Sequence, residues 1–251
     1  DRCYASATVC APNRASILTG RSPVIHGVVA NNLELTADNP TYPQVLQSSG
    51  YRTGGFGKFH HTCMSLPHPE NFKRLGFDET MISEDPKWGG YLDWIKTDHP
   101  EHYRAALSMC WDLPFVDQKL RDENADAIAE YLKEKKEQSD WRLMYGSPLP
   151  KELHQTTFIT DRAMDFISRH TDNSPDKPFF CFVSYVDPHD PYDPPAPYDT
   201  MFSPDEMQEP LPSTWIQHGN EILRESRKFC NYESIADNPQ AVKKLRALYH
   251  G

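Results

Sequence analysis

An α/β fold is what this sequence predicts, and three features predict it. Helical repeats of apolar residues alternate along the chain with short strand-like segments. The longest apolar run, Phe179 to Val186, is too short for a membrane helix. It reads as a strand apolar enough to sit in mid-sheet, covered on both faces. That strand runs into a proline-rich loop, Asp187-Pro188-His189-Asp190-Pro191. Open α/β sheets gather their sites at such C-terminal strand ends.

The elements follow in order. A short helix is expected over 11–20, because Pro12 suits a first turn, Ala15, Ile17 and Leu18 follow, and Gly20 stops it. Cys10 stands at its N-terminal edge, where N–H groups and the helix dipole favour anions. Pro43 to Ser49 reads as a second helix, ended by Gly50, and Tyr51 to Gly57 as a short strand and loop. The stretch 62–120, with Trp88, Tyr91 and Trp94, reads as loops and short helices that contribute to a substrate mouth. Asp122 to Gln138 carries Ala125, Ile128, Tyr131 and Leu132 on one helical face. Thr156 to Arg169 repeats the pattern with Ile159, Ala163, Phe166 and Ile167, and Asp172 to Asp176 is a turn-rich loop. After the strand, Pro239 to Tyr249 reads as a last helix. There is no internal repeat and no low-complexity tract.

Composition narrows the function classes. A length of 251 residues allows one large domain or two small ones, with a sizeable core. The net charge of -10 argues against nucleic acid and anionic membranes as partners, though a local basic cluster can still hold an anion. No membrane span and no basic-plus-apolar leader are visible, and the chain opens at Asp1 rather than at a methionine. The cysteines (Cys3, Cys10, Cys63, Cys110, Cys181, Cys230) are scattered without a CxxC pair, which argues against a zinc ribbon or a thioredoxin-like motif. Cys181, inside the apolar strand, reads as a small buried hydrophobe.

The chemistry concentrates in three segments. The first is Cys10-Ala11-Pro12-Asn13-Arg14, followed by Thr19-Gly20-Arg21. A lone cysteine is ordinarily structural, but this spacing resembles the signature of the sulfatase family. Arg14 lies one helical turn after Cys10 and can reach back toward it; the alternative is a surface salt bridge. The second segment is Gly50-Tyr51-Arg52-Thr53-Gly54 leading into Gly57-Lys58-Phe59-His60, which resembles the family's second signature. In an extended segment Lys58 and His60 project to the same side. A lysine there offers a point charge, and a histidine moves a proton near neutral pH. Alone, the two would read as a solvated lysine and a satisfied surface histidine; the family register selects His60 over the adjacent His61. The third segment is His189 in Asp187-Pro188-His189-Asp190-Pro191-Tyr192, which resembles the family's third site segment. Its alternative is a loop-capping histidine, and Tyr192 and Tyr198 read as packing for that loop. His154, just before a helix, is a candidate for lining the substrate pocket and otherwise a helix-flanking surface histidine.

The resemblance carries further expectations. It implies the alkaline phosphatase superfamily fold, a mixed, mostly parallel sheet sandwiched by helices, with residues 1–251 forming part of a sulfatase catalytic domain. It implies that a formylglycine-generating enzyme oxidises Cys10 to formylglycine, whose hydrate attacks the sulfur of a small-molecule or carbohydrate sulfate ester. A calcium ion, or magnesium, would polarise the sulfate. By the same carry-over Arg14 holds the hydrate, Lys58 neutralises sulfate charge, His189 protonates the leaving oxygen and His60 deprotonates the second hydroxyl. Only Cys10, as formylglycine, is assigned to the metal; the other ligands are expected outside this chain. The sequence therefore reads as an internal piece of a longer enzyme, inactive alone, with a periplasmic or extracellular setting favoured. Two other readings stand beside it: a phosphonate monoester or phosphodiester hydrolase of the same superfamily, and a sulfatase-like domain that binds sulfated glycans without cleaving them. The joint presence of Cys10, Arg14, Lys58, His60 and His189 argues against the last.

Overall fold

The structure, a computed structural model, describes residues 2, 4–61, 72–113, 116–135, 144–209 and 238–251. Cys3, Cys63 and Cys230 lie outside the described residues, as does 62–71 of the expected substrate mouth. The chain forms two compact units. One comprises Asp1–Ala129 and Gln155–Val186; the other comprises Glu130–His154 and Asp187–Gly251.

The first unit is built on a three-stranded parallel sheet. Strands β1 (Arg52–Gly57), β2 (Glu79–Ile82) and β3 (Phe179–Ser184) lie in the order β2-β1-β3. Gly54 of β1 stands level with Glu79 on one side and Cys181 on the other. Helix α1 (Cys10–Thr19) starts one residue before the expected span and ends on Gly20, at φ 67, whose N–H returns to the Ser16 carbonyl. Two short helices follow, α2 (Pro23–His26) and α3 (Tyr42–Ser48). A capping box opens α3: Gln44 N donates to Thr41 Oγ1, and Thr41 N donates to Gln44 Oε1.

The sheet is covered on both faces. On one, Ala11, Ala15 and Leu18 of α1 join Val28, Leu35, Phe59, Phe72, Leu75 and Phe77 in a buried cluster, with Phe180 and Phe182 of β3 packed against it. On the other lies a long helix, Gln155–Asn173, whose Phe166 ring sits 5.4 Å from that of Phe56. Glycines let both sides close in. A Cβ at Gly54 would meet the Phe166 ring at 2.8 Å, and one at Gly55 would meet Phe59 at 2.4 Å.

Several expectations need correction. The apolar run predicts a mid-sheet place for β3, yet among the described strands it lies at an edge, with Phe179 and Val183 at 37% and 36% exposure. The middle belongs to β1, whose glycines admit aromatic rings from above and below. Apolar content does not fix where in a sheet a strand sits. Cys181 is accordingly half-buried, though burial still pushes its thiol up to about 11. Residues 79–82, in the stretch read as irregular, form β2; four residues are too few to show a period. In chain order the next helices are α4 (Gly90–Asp98), α5 (Tyr103–Ser108) and α6 (Gln118–Lys135). Tyr91 and Trp94 of α4 pack against Phe158, with centroids 5.5 and 4.9 Å away; Tyr91 is buried and Trp94 half-buried. α6 begins four residues early because Asp117 Oδ1 accepts the N–H groups of Lys119 and Leu120. The helix at 155–173, α7, runs into the expected loop. His170 Nε2 then donates to the Lys177 carbonyl at 2.6 Å and fixes the turn toward β3.

The second unit is smaller. Its helix α8 (Pro239–His250) is capped by Asn238, whose Oδ1 accepts from Gln240 N and Ala241 N. Ala241 and Leu248 of α8 pack with Met144, and Tyr192 lies against that cluster. Tyr192 also meets Tyr249 edge-on at 5.8 Å, in keeping with a packing role for that tyrosine. Among the described residues no helix is long and apolar enough to cross a membrane.

Candidate active site

Cys10 is the first residue of α1 and is half-buried. The helix start is a weaker anion site than its position suggests. Pro12 has no N–H, and Ala11 N donates to Asn31 Oδ1 at 3.1 Å. Charge near Cys10 comes instead from Arg14, whose Nη1 donates to the Lys58 carbonyl and to Ser184 Oγ, both at 2.8 Å. Lys58 N donates to the Ser184 carbonyl, also at 2.8 Å. Arg14 therefore ties the helix that carries Cys10 to the C-terminal ends of β1 and β3. It is no surface ion pair. Burial lowers its pKa, with Glu84, Asp85 and Cys10 acting the other way; a guanidinium stays charged regardless.

Lys58 and His60 are both in this unit, but not on an extended segment. β1 ends at Gly57, at φ +96, and His60 sits at φ +53. The chain curls, so the same-side argument from strand periodicity fails. What the two side chains share is burial, at 2% and 1% exposure. A non-glycine residue in the left-handed region costs on the order of 1–3 kcal/mol and persists only when its surroundings enforce it. Glu84 lies against this turn. Its Oε1 accepts from Phe59 N at 3.1 Å and from His60 N at 2.9 Å. Next to it, Asp85 holds Lys58 Nζ at 2.6 Å in a pair with side chains 3% and 1% exposed. Burial pushes the Glu84 carboxyl up, the two amides oppose that, and Asp85 adds to it.

His60 and His61 are both buried, at 1% and 2% exposure. His61 is held down to about 3, chiefly by desolvation and then by Arg14 and His60, so it stays neutral at physiological pH. His60 Nδ1 and Nε2 are buried without a hydrogen-bond partner among the described residues. One further pair braces α1: Val28 N donates to His26 Nδ1, so His26 Nε2 carries the proton and donates to Ser16 Oγ at 3.0 Å.

Glu84, Asp85 and Ser184 escape a reading of the sequence. All three stand at or just beyond strand C-termini, the ends that collect sites in parallel sheets. Recognising β2 would have pointed to Ser83-Glu84-Asp85. Of the carboxylates beside Lys58 and His60, Glu84 holds the two amides through Oε1 and Asp85 holds the ammonium. A hard cation needs several oxygen ligands, so the described residues around Cys10 do not fit a calcium or magnesium site.

His189 and His154 belong to the second unit. His189 Nδ1 donates to the Asp190 carbonyl at 2.7 Å and lies 3.2 Å from Asp190 Oδ1. His154 is not a surface residue: it is 4% exposed, with Nδ1 3.8 Å from Asp187 Oδ2. His154, Asp187 and Asp193 bring one ligand atom each within 4.8 Å of one another, close enough for a shared cation. Tyr145 Oη donates to Asp193 Oδ2 at 3.4 Å. This network grips both ends of the His189 loop.

Comparison with known proteins adds an independent line. The family model described as Sulfatase matches residues 1–245. An arylsulfatase from Clostridium perfringens (strain 13 / Type A) is 29% identical over 255 residues, which span 100% of this chain and 48% of that protein. A choline-sulfatase from Rhizobium meliloti (strain 1021) is 25% identical over 251 residues, 98% of this chain and 42% of that protein. Among solved structures, a phosphonate monoester hydrolase of Agrobacterium radiobacter aligns with a TM-score of 0.65 at 18% identity, covering 98% of this chain and 47% of that one. That likeness carries the fold, which is the alkaline phosphatase/sulfatase type. The chain spans about half the length of the curated relatives it matches.

Proposed function

This chain belongs to the sulfatase family, and from that premise we propose that the whole protein hydrolyses sulfate esters, with Cys10 oxidised to formylglycine as its nucleophile. One observation carries the reading: Cys10 opens a helix that Arg14 pins to the turn bearing Lys58 and His60. Formylglycine at position 10 supplies two hydroxyls on one carbon when hydrated, one to bond to sulfur and one to allow the sulfated carbon to shed sulfate as the aldehyde returns.

The chain's own residues have separable tasks. Arg14 sets a fixed positive charge beside position 10. The Lys58 ammonium has three donors; Asp85 orients it, and a remaining N–H neutralises a sulfate oxygen as the S–O ester bond breaks. His189 gives the departing alkoxide its proton, aided by the Asp190 carbonyl behind Nδ1. His60 takes the proton of the second hydroxyl. Calcium or magnesium is the cation expected for this chemistry. Glu84 and Asp85, the carboxylates that hold the Lys58–His60 turn, are too few oxygen ligands to hold it by themselves. The substrate class is a sulfate ester of a small molecule or carbohydrate, and maturation would need a formylglycine-generating partner.

Full-length protein carrying Cys10→Ala should lose turnover of an aryl sulfate, and the wild type should prefer aryl sulfate to aryl phosphonate. A clear phosphonate preference would move the assignment to the phosphonate hydrolases. Substantial activity in the alanine variant would remove Cys10 from the mechanism.

A further inference from the structure

We infer that Glu84 is a positioning residue for Lys58 and His60, acting on the backbone that carries them; this rests on the sulfate-ester reading above. A single carboxylate oxygen takes two consecutive amides, Phe59 N and His60 N, in a place where Glu84 is 8% exposed. Two adjacent N–H groups converge on one acceptor only when the chain turns there, and His60 at φ +53 is that turn. The neighbouring Asp85 acts on the same turn through the Lys58 ammonium. Glu84 and Asp85 thus set the backbone and the side chain of one short segment.

The rest of the surroundings agree. Lys58 N is fixed to the Ser184 carbonyl and the Lys58 carbonyl to Arg14, so the segment is held from the β3 side and from α1. Without Glu84 the amides of Phe59 and His60 lose their acceptor. Glu84 Oε2 is buried with no hydrogen-bond partner among the described residues, as are both ring nitrogens of His60. The carboxylate therefore acts on the backbone through one oxygen, Oε1. The change Glu84→Gln retains a carbonyl acceptor of the same reach; Glu84→Ala does not.

The test uses full-length protein and these two variants, Glu84→Ala and Glu84→Gln. Glu84→Ala should lower kcat for an aryl sulfate by about 10- to 100-fold with KM changed less than about threefold, because a misplaced base costs the chemical step. Glu84→Gln should restore kcat to within about fivefold of wild type. Amide hydrogen exchange, which needs no turnover, should be at least about tenfold faster at Phe59 and His60 in the alanine variant and near wild type in the glutamine variant. Unchanged exchange at these two amides in Glu84→Ala would overturn the inference, as would full kcat in that variant. Should Glu84→Ala fail to fold, Glu84→Gln decides: retained protection with near-wild-type kcat supports the clamp, and lost protection or a large fall in kcat refutes it. Wild-type protein inactive on every sulfate ester would sink the functional reading while leaving the exchange result to judge the clamp.

Discussion

Gly57 is the position where a single added carbon should do most harm. A Cβ there would stand 1.9 Å from the Ser184 carbonyl oxygen, 2.9 Å from its carbon and 3.2 Å from Ile159 Cδ1. The first distance is roughly 1.5 Å short of ordinary contact, and the atom it meets is backbone, which no rotamer change relieves. Gly57 also sits at φ +96, and left-handed backbone costs an L-residue about 1–2 kcal/mol. Relief of the clash moves β3 away and breaks the bond from Lys58 N to the Ser184 carbonyl, worth about 1–3 kcal/mol when a buried group is left unpaired. Gly57→Ala should therefore lose about 2–5 kcal/mol, a large share of the 5–15 kcal/mol that typically holds a protein folded. Urea denaturation read by circular dichroism measures this. A loss under about 1 kcal/mol would show that the β1–β3 end is not as tightly closed as described.

Asp85→Ala should cost about 3–5 kcal/mol, because it strands the Lys58 ammonium in a site 3% exposed. The double replacement Lys58→Met with Asp85→Leu should cost much less than either single change, and a double-mutant cycle by urea denaturation reads the difference. His61 gives a pH signature. Its folded pKa of about 3 lies below the ordinary 6.5, so the unfolded chain binds the extra proton. Its contribution is intact above pH 6.5 and is lost as pH falls from there toward 3, with a slope of up to about 1.4 kcal/mol per pH unit. His61→Phe should flatten that slope in denaturation midpoints measured across the same window; an unchanged slope would mean that another group dominates.

Much of the scaffold is legible in local chemistry. Gly20 ends α1, the periodic Ile159, Ala163 and Phe166 mark α7, and the apolar 179–184 segment marks β3. These signals live in neighbouring residues. What escapes depends on partners distant in sequence. Glu84 matters because it lies against amides 25 and 24 residues away, and no local pattern encodes that. The turn at Lys58–His60 escapes for the same reason: a left-handed histidine is created by a remote acceptor, not by its own propensity. His154 looks like a surface residue because it flanks a helix, yet it is buried and lies against Asp187, which is distant in sequence. The site residues themselves stand out only because three spaced motifs occur in one order.

The central claim is that Cys10 is not a thiol in the working enzyme. The decisive measurement is the mass of the tryptic peptide spanning residues 3–14, which ends at Arg14 and contains both Cys3 and Cys10. It should be taken from full-length protein that turns over an aryl sulfate. Conversion to formylglycine should lower the mass by roughly 18 Da, and fragmentation should place the loss at position 10 while Cys3 remains a cysteine. An intact thiol at Cys10 in protein that still hydrolyses the ester would contradict the account.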